Sequence, residues 1–497
     1  MKDINKTNNA SYYVKVTIGL LIMLSGMFLP TTEPITRCGM VLIGLFFGLI
    51  FMYIALHIVW PNLIAICIFA VYALQVYPSS GSAGLETVAG NIFGGEIPIM
   101  LIGIFMLCYT LEESGILYRI AIWFITRKAA RKSAWSFTFM LWLAVFAIGL
   151  VMDCTPLCVI VIGIAHSVFD ILGFKKGDAW PKAIICGIVW IACITYACTP
   201  IGHNVPVLFI GMVAATTGIQ ISLVQYLAVG IPIAALIFIL LYVYFRFIVK
   251  PDVSAFKNAD FGRVEKLKPG KLTKHEKYIS IIFVFVLIFM ILPSLLKVFD
   301  PSNALSSFLI GMSGQGSWAM FVGLALMVII RPEGKPLLNL DEGFRNLPWG
   351  LMFMIGTIVT VAFAMQEETT GVSTWVSGIF GNIFSGMSPF VAVALVTVLC
   401  IVLTNILNNV AVGAVFIIVA GAIASSTGIN GAVIGIAVTI ASQLGYTTAA
   451  AFPTIGLATA DEYCAPGYVL RHGIAATVIS LIICIPLIYP LASFVLK

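Results

Sequence analysis

The sequence predicts an all-α polytopic membrane protein of about eleven transmembrane helices plus two re-entrant hairpins, arranged as two inverted repeats. Three observations predict it. The first is composition: 61% of the 497 residues are hydrophobic and 10% are charged. With a mean hydropathy of +1.08, such a chain cannot clothe a water-soluble globule, and lipid is its solvent. The second is that apolar stretches of the roughly 20 residues needed to cross a bilayer recur from Val14 to the C-terminus. The third is a set of polar, helix-breaking strings that occurs twice, in the same order, in the two halves of the chain.

Charge orients the chain. The formal net charge of +6 is small for this length, and the Lys and Arg residues lie in short segments between helices rather than on one basic face, so nucleic acid is not a partner. Basic residues gather on the cytoplasmic side of membrane proteins. Lys2–Lys6, Arg127–Lys132, Lys175–Lys182, Arg246–Lys277 and Arg331–Arg345 are therefore placed inside, with the N-terminus cytoplasmic. Met1–Lys6 followed by an apolar run looks like a signal sequence, but with no clear small-residue cleavage site and many later spans the first helix is read as retained. The eleven cysteines lie mostly in apolar segments without metal-ligand spacing and read as reduced core residues. No nucleotide-binding loop is present to couple the chain to ATP.

Residues 1–245 form the first expected repeat. Within it, 136–173 is long enough for two helical arms, carries basic clusters at both ends and has Met152-Asp153-Cys154-Thr155-Pro156 at its middle. It is read as a hairpin that opens inward. Residues 246–278 are a basic cytoplasmic linker, and 279–497 form the second repeat. The hairpin expected there, 388–423, has no Lys or Arg near either end and opens outward; its middle reads Leu403-Thr404-Asn405-Ile406-Leu407-Asn408-Asn409-Val410. Non-helical backbone at membrane depth must be satisfied by protein, water or an ion, so two such turns imply a polar cavity.

The recurring marks support the duplication. Leu111-Glu112-Glu113-Ser114-Gly115 is echoed by Gln366-Glu367-Glu368-Thr369-Thr370-Gly371, both read as solvated helix ends. About forty residues beyond each pair stands a hairpin tip, at Asp153 and at Asn408. Then Cys198-Thr199-Pro200-Ile201-Gly202-His203-Asn204 interrupts one span near 198–206, and Phe452-Pro453-Thr454-Ile455-Gly456 interrupts another near 452–458. Gly/Pro-interrupted segments at corresponding places in two halves point to the midplane binding site of a secondary transporter.

A sodium ion is hard and takes oxygen ligands, which a strained turn supplies through freed carbonyls and Asn, Thr or Asp side chains. One cation site is expected from Asp153, Cys154 and the Pro200–Gly202 backbone, a second from Thr404, Asn408, Asn409 and the Ile455–Gly456 backbone. A small anionic substrate would lie between the helix arms that begin after each tip. Cys154, Thr155, Asn409 and Val410 would line it, with Thr155 and Asn409 donating hydrogen bonds. His203 and Asn204, beside the break, either read the substrate or, for His203, serve as a satisfied structural group; His166 reads as a packing residue. Asp153 has two competing roles, a fixed charge on a sodium site or the carrier of a coupling proton. A third reading makes it an acid at a loop end.

At Leu111-Glu112-Glu113-Ser114-Gly115-Ile116-Leu117-Tyr118-Arg119-Ile120-Ala121 and Leu347-Pro348-Trp349-Gly350-Leu351-Met352-Phe353-Met354-Ile355-Gly356, the chain resembles the divalent anion:sodium symporter (DASS) family of the ion-transporter superfamily. The likeness covers nearly the whole chain. It implies eleven spans, opposed hairpins, a homodimer in the cytoplasmic membrane, an elevator-like motion and sodium-coupled symport of a di- or tricarboxylate, with no enzymatic activity. The family carries Ser-Asn-Thr at each tip and a Gly-Thr-Pro-Pro-Asn type loop in each broken helix. Here Asp153-Cys154-Thr155 and Asn408-Asn409-Val410 stand at the tips, Gly202-His203-Asn204-Val205-Pro206 replaces one loop and Ile455-Gly456-Leu457-Ala458 the other. A monocarboxylate therefore stays open as the substrate. So do proton-coupled anion symport and sodium/proton antiport through Asp153. An intramembrane hydrolase using Asp153, His166 or His203 is disfavoured, because two matched tips of unlike chemistry do not form one acid–base constellation.

Overall fold

The computed structural model describes residues 9–57, 59–254, 256, 261–300, 302–312 and 317–496; the basic segment Lys2–Lys6 and five residues of the linker lie outside them. Among the described residues the regular elements are helices, without strands. The first half runs through α1 (Asn9–Phe28), α2 (Arg37–Ala55), α3 (Trp60–Val76), α4 (Gly84–Gly94), α5 (Glu96–Glu113), α6 (Ile116–Ile125), α7 (Ala134–Gly149), α8 (Cys154–Leu172), α9 (Ala179–Cys198), α10 (Asn204–Thr217) and α11 (Leu223–Val243). The linker holds α12 (Phe261–Glu265) and leads into α13 (Lys274–Phe299), α14 (Ala304–Met312), α15 (Ser317–Ile329), α16 (Leu340–Asn346) and α17 (Trp349–Gln366). Then follow α18 (Val372–Phe384), α19 (Pro389–Thr404), α20 (Asn409–Ile418), α21 (Ala420–Thr427), α22 (Gly431–Ser442), α23 (Ile455–Thr459) and α24 (Pro466–Val495).

Nine of the described helices are long and apolar enough to cross a membrane, or ten with the pair α18 and α19, which is bent by 105°. The count falls below the eleven expected because several apolar helices are short. A 16-residue arm such as α7 or α19 rises about 24 Å, less than the roughly 30 Å hydrocarbon core. Such helices survive by packing on neighbours rather than by spanning alone.

Two helices anchor that packing. Every residue of α9 from Ala183 to Cys198 is buried, as is every residue of α22, which fits sequences that are apolar on all faces. Around α9 pack α7, α8 and α11; around α22 pack α19, α20 and α24; contacts of α10 with α20 and α22, and of α11 with α24, join the two sets. A second group of α2, α3, α4, α5, α13, α15 and α17 packs alongside, meeting the first through α10 on α17 and α6 on α7. The linker is strapped to the first half by charge: Arg119 of α6 pairs with Glu276, and Arg131 pairs with Glu265, which Lys268 also reaches at 3.1 Å. These pairs put the basic segment after α6 and the linker on one face.

Candidate functional site

α7 ends at Gly149, and the next turn leaves its last carbonyls without helical partners. The interruption between α9 and α10 supplies the donors. The Thr199 hydroxyl donates to the Leu150 carbonyl at 3.1 Å and His203 Nε2 donates to the Gly149 carbonyl at 2.9 Å. Gly202 sits at φ +73°, where a Cβ would come within 2.6 Å of the Val151 carbonyl oxygen, so the two backbones meet as closely as glycine permits. Asp153 then starts α8: its Oδ1 accepts the Thr155 N–H at 3.0 Å as an N-cap.

His203 is fully buried, its ring centroid 4.6 Å from that of Tyr196. Asn204 accepts from the Tyr196 hydroxyl, which in turn accepts the Val205 N–H at 3.2 Å. Asn204 thus ties the start of α10 to Tyr196 of α9 across the break, and His203 holds the break to the end of α7, as the structural alternative for it expects. The physical reason is the orphaned carbonyls of the α7 terminus, which must be paired inside protein.

The second tip is tied by different chemistry. Asn408 Oδ1 accepts from the N–H groups of Val410 at 2.9 Å and Ala411 at 3.2 Å, capping α20 as Asp153 caps α8. The Thr404 hydroxyl donates to the Ser442 carbonyl at 2.6 Å, which leaves its oxygen lone pairs able to accept. Asn409 Nδ2 donates to Gln443 Oε1 at 2.7 Å. Asn405 does the most: its amide donates to the carbonyls of Ile401 at 2.8 Å and Leu444 at 3.1 Å, its oxygen accepts the Tyr446 N–H at 2.9 Å, and its carbonyl accepts from the Thr447 hydroxyl at 2.6 Å.

The interruption in this half opens directly after Ser442 and runs to Thr454. It begins earlier than the expected 452–458. Ile455 and Gly456 therefore lie in α23, and the Gly456 carbonyl is taken by Ala460 N–H at 3.0 Å and the Thr459 hydroxyl at 3.1 Å, not free for a cation. The stretch released from helix next to Thr404 begins at Gln443; within it the Leu444 carbonyl is taken by Asn405 and the Tyr446 carbonyl by the Trp190 indole N–H at 3.0 Å. Sequence reasoning missed Thr199, Asn405, Gln443 and Thr454; the signal for Asn405 and Gln443 is a lone amide inside an otherwise apolar run.

The two halves touch where the first tip meets the second break. The buried Cys154 thiol lies 3.2 Å from the buried Thr454 hydroxyl, while Thr155 is exposed. Each broken segment is backed by a glycine on the next long helix: a Cβ at Gly230 of α11 would lie 2.0 Å from the Cys198 carbonyl oxygen, and one at Gly473 of α24 would lie 2.6 Å from that of Tyr446. A cavity of about 440 Å³ between α4, α5, α10 and α17 reaches Pro200 and Ile201 at the first break. Its polar lining includes Tyr77, Asn91, Gln220, Thr360 and Glu367, and among the described residues no Lys, Arg or His lines it. Near the linker, a groove of about 460 Å³ runs between Glu112 and Tyr118 on one side and Val159 to Ser167 of α8 on the other. Glu113, Glu367 and Glu368 are exposed, as solvated helix ends are. His166 bonds Asp461 Oδ2 at 2.8 Å and packs on Tyr463.

Residues 48–441 match the citrate transporter family. The chain belongs to that family. It is accordingly a transporter and not an enzyme, and the resemblance to sodium-coupled anion carriers is borne out by its relatives. The sodium-dependent dicarboxylate transporter SdcS of Staphylococcus saprophyticus is 24% identical over 421 residues, 82% of this chain and 78% of that one. Its Staphylococcus aureus counterpart is 22% identical over 349 residues, 68% of this chain and 65% of that one. Among solved structures, the YdaH transporter of Alcanivorax borkumensis matches with a TM-score of 0.57 at 16% identity, over 97% of this chain and 98% of that one. MtrF of Neisseria gonorrhoeae matches at 0.54 and 15% identity, over 98% and 95%. These likenesses show the fold of an integral membrane protein.

Proposed function

We propose that the protein is a secondary active transporter coupling the entry of sodium ions to that of a small carboxylate held between the two tips. The observation that carries this is the like treatment of two chemically unlike tips: each begins a helix with a capping oxygen and each is clasped to an interrupted helix. Sodium dependence and carboxylate transport are the named properties of the SdcS relatives. The first cation site is Asp153 with the backbone around Val151–Cys154 and Pro200–Gly202. The second is Thr404, Asn408 and Asn409 with the carbonyls of Gln443 and Gly445, in place of Ile455–Gly456, since those of Leu444 and Tyr446 accept from Asn405 and Trp190.

Equal lengths of corresponding elements support the duplication: α5 and α17 have 18 residues each, α7 and α19 have 16 each. With the first hairpin opening toward the basic face and the second away from it, the halves are inverted and the N-terminus is cytoplasmic. The bundle of α7–α11 and α19–α24 would slide as a body against the group around α17, an elevator within a homodimer of the cytoplasmic membrane.

The test is uptake of labelled carboxylates into proteoliposomes under sodium and proton gradients imposed separately, with Asp153→Asn alongside. Sodium-driven uptake that Asp153→Asn lowers by about tenfold or more is expected, since a fixed charge beside a cation in a low-dielectric site is worth more than 1.4 kcal/mol. Uptake driven by protons alone would overturn the sodium assignment.

A further inference from the structure

Within the symport reading, on which this inference rests, we infer that the cargo is a monocarboxylate with an apolar body rather than a di- or tricarboxylate. The argument starts from hydrogen-bond donors. Each carboxylate taken out of water needs donors to replace those it loses. At the tips these are few. The Cys154 thiol is engaged with Thr454, the Asn409 amide donates to Gln443, Val410 has no polar side-chain atom, and Oδ1 of Asp153 and of Asn408 each accept from their own helix. The exposed Thr155 hydroxyl and the half-buried Asn408 Nδ2 remain. That set, with the backbone N–H groups of one helix start, suits one carboxylate.

Charge gives the same answer independently. Asp153 puts a carboxylate on the first tip, whereas the second tip carries the neutral Asn408 at the like position. The cavity that reaches the first break at Pro200 and Ile201 has no basic residue on its lining among the described residues. A single cargo carboxylate can sit toward the Asn408 side, with the co-transported cation between it and Asp153. A second carboxylate would be brought against Asp153 in a medium that screens poorly. Shape supplies the body: the cavity is lined chiefly by groups such as Met100, Ile104, Ile201, Val207, Val359 and Phe363, and its 440 Å³ suits a small molecule with an aromatic or branched aliphatic part.

Proteoliposomes with an inward sodium gradient provide the test, using labelled phenylpyruvate, succinate and citrate as probes. Phenylpyruvate uptake is expected to exceed that of either other acid by about tenfold or more, the discrimination a site imposes when a polar group would be left unpaired. Asp153→Ser keeps a capping oxygen and so keeps the helix start; it is expected to raise succinate uptake relative to phenylpyruvate by about fivefold, because it removes the repelling charge. Heat-unfolding of the same preparations, protected by phenylpyruvate with sodium and not by succinate with sodium, is the expected second readout. Wild-type succinate or citrate uptake equal to or above that of phenylpyruvate overturns this inference and leaves symport standing. Absence of sodium-driven uptake for all three probes overturns the symport reading itself, and this inference with it.

Discussion

The two tips solve one problem with different chemistry. The first break is short, from Thr199 to His203, and a hydroxyl and an imidazole pin it to the end of α7. The second is longer, from Gln443 to Thr454, and amide side chains of Asn405 and Asn409 bind it to the end of α19 and the start of α20. A short loop needs only point contacts, whereas a long one must be tied at several carbonyls to stay dry. The contrast also divides charge: the tightly pinned tip bears the acid and the amide-laced tip is neutral.

Several substitutions would break or sharpen that contrast. The largest effect belongs to the glycines behind the breaks. Gly230→Ala should abolish recovery of monodisperse protein, because its Cβ would lie 2.0 Å from a backbone oxygen, while Gly473→Ala, with 2.6 Å, should give folded protein of lower Tm. The reverse order would mean that the first break is the more yielding. Next comes Asn405→Ala, which strands several buried groups and should cost about 3 kcal/mol in detergent unfolding, against about 1 kcal/mol for Thr199→Ala. Equal losses would remove the distinction between a laced and a pinned break. Asp153→Ala and Asn408→Ala should each cost about 1 kcal/mol as lost caps, so a stability difference between them would show that the acid does more for the fold than the amide.

Surface charge should matter least. The Lys268 and Arg131 side chains hold the Glu265 carboxyl below its ordinary range. A depressed carboxylate contributes stability above its unfolded pKa and loses it as pH falls through the lower folded value. Lys176 is raised by its hydrogen bond to Glu462, so its contribution holds below the ordinary lysine range and fades as pH rises through the folded value. Both groups are exposed, and thermal unfolding scanned over pH should show only small changes at the acid and alkaline ends, smaller still in high salt.

Much of the scaffold was legible in the sequence, because apolar length and breaker residues are local signals. Pro200 and Gly202 announce the end of α9, and an oxygen-bearing side chain before a fresh apolar run marks the starts of α8 and α20. The second break was misjudged because Pro453 and Gly456 are conspicuous while Gln443, where α22 really ends, is a single amide in an apolar run. His203 and Asn204 were read by adjacency to the break. Their partners, the Gly149 carbonyl and the Tyr196 hydroxyl, are set by packing between segments remote in sequence or on the neighbouring helix, which periodicity does not encode. For the same reason the reach of Asn405 to Leu444 and Tyr446 was invisible.

Whether both tips face the cargo can be measured directly. In protein lacking the exposed Cys67 and the half-buried Cys464, single substitutions Thr155→Cys and Val410→Cys would be labelled in proteoliposomes with a maleimide, with and without sodium plus a transported carboxylate. Labelling at both positions should fall by about fivefold or more when ion and cargo are added together, as expected for groups buried by a ligand. Unchanged labelling at either position would mean that the two tips do not share one site.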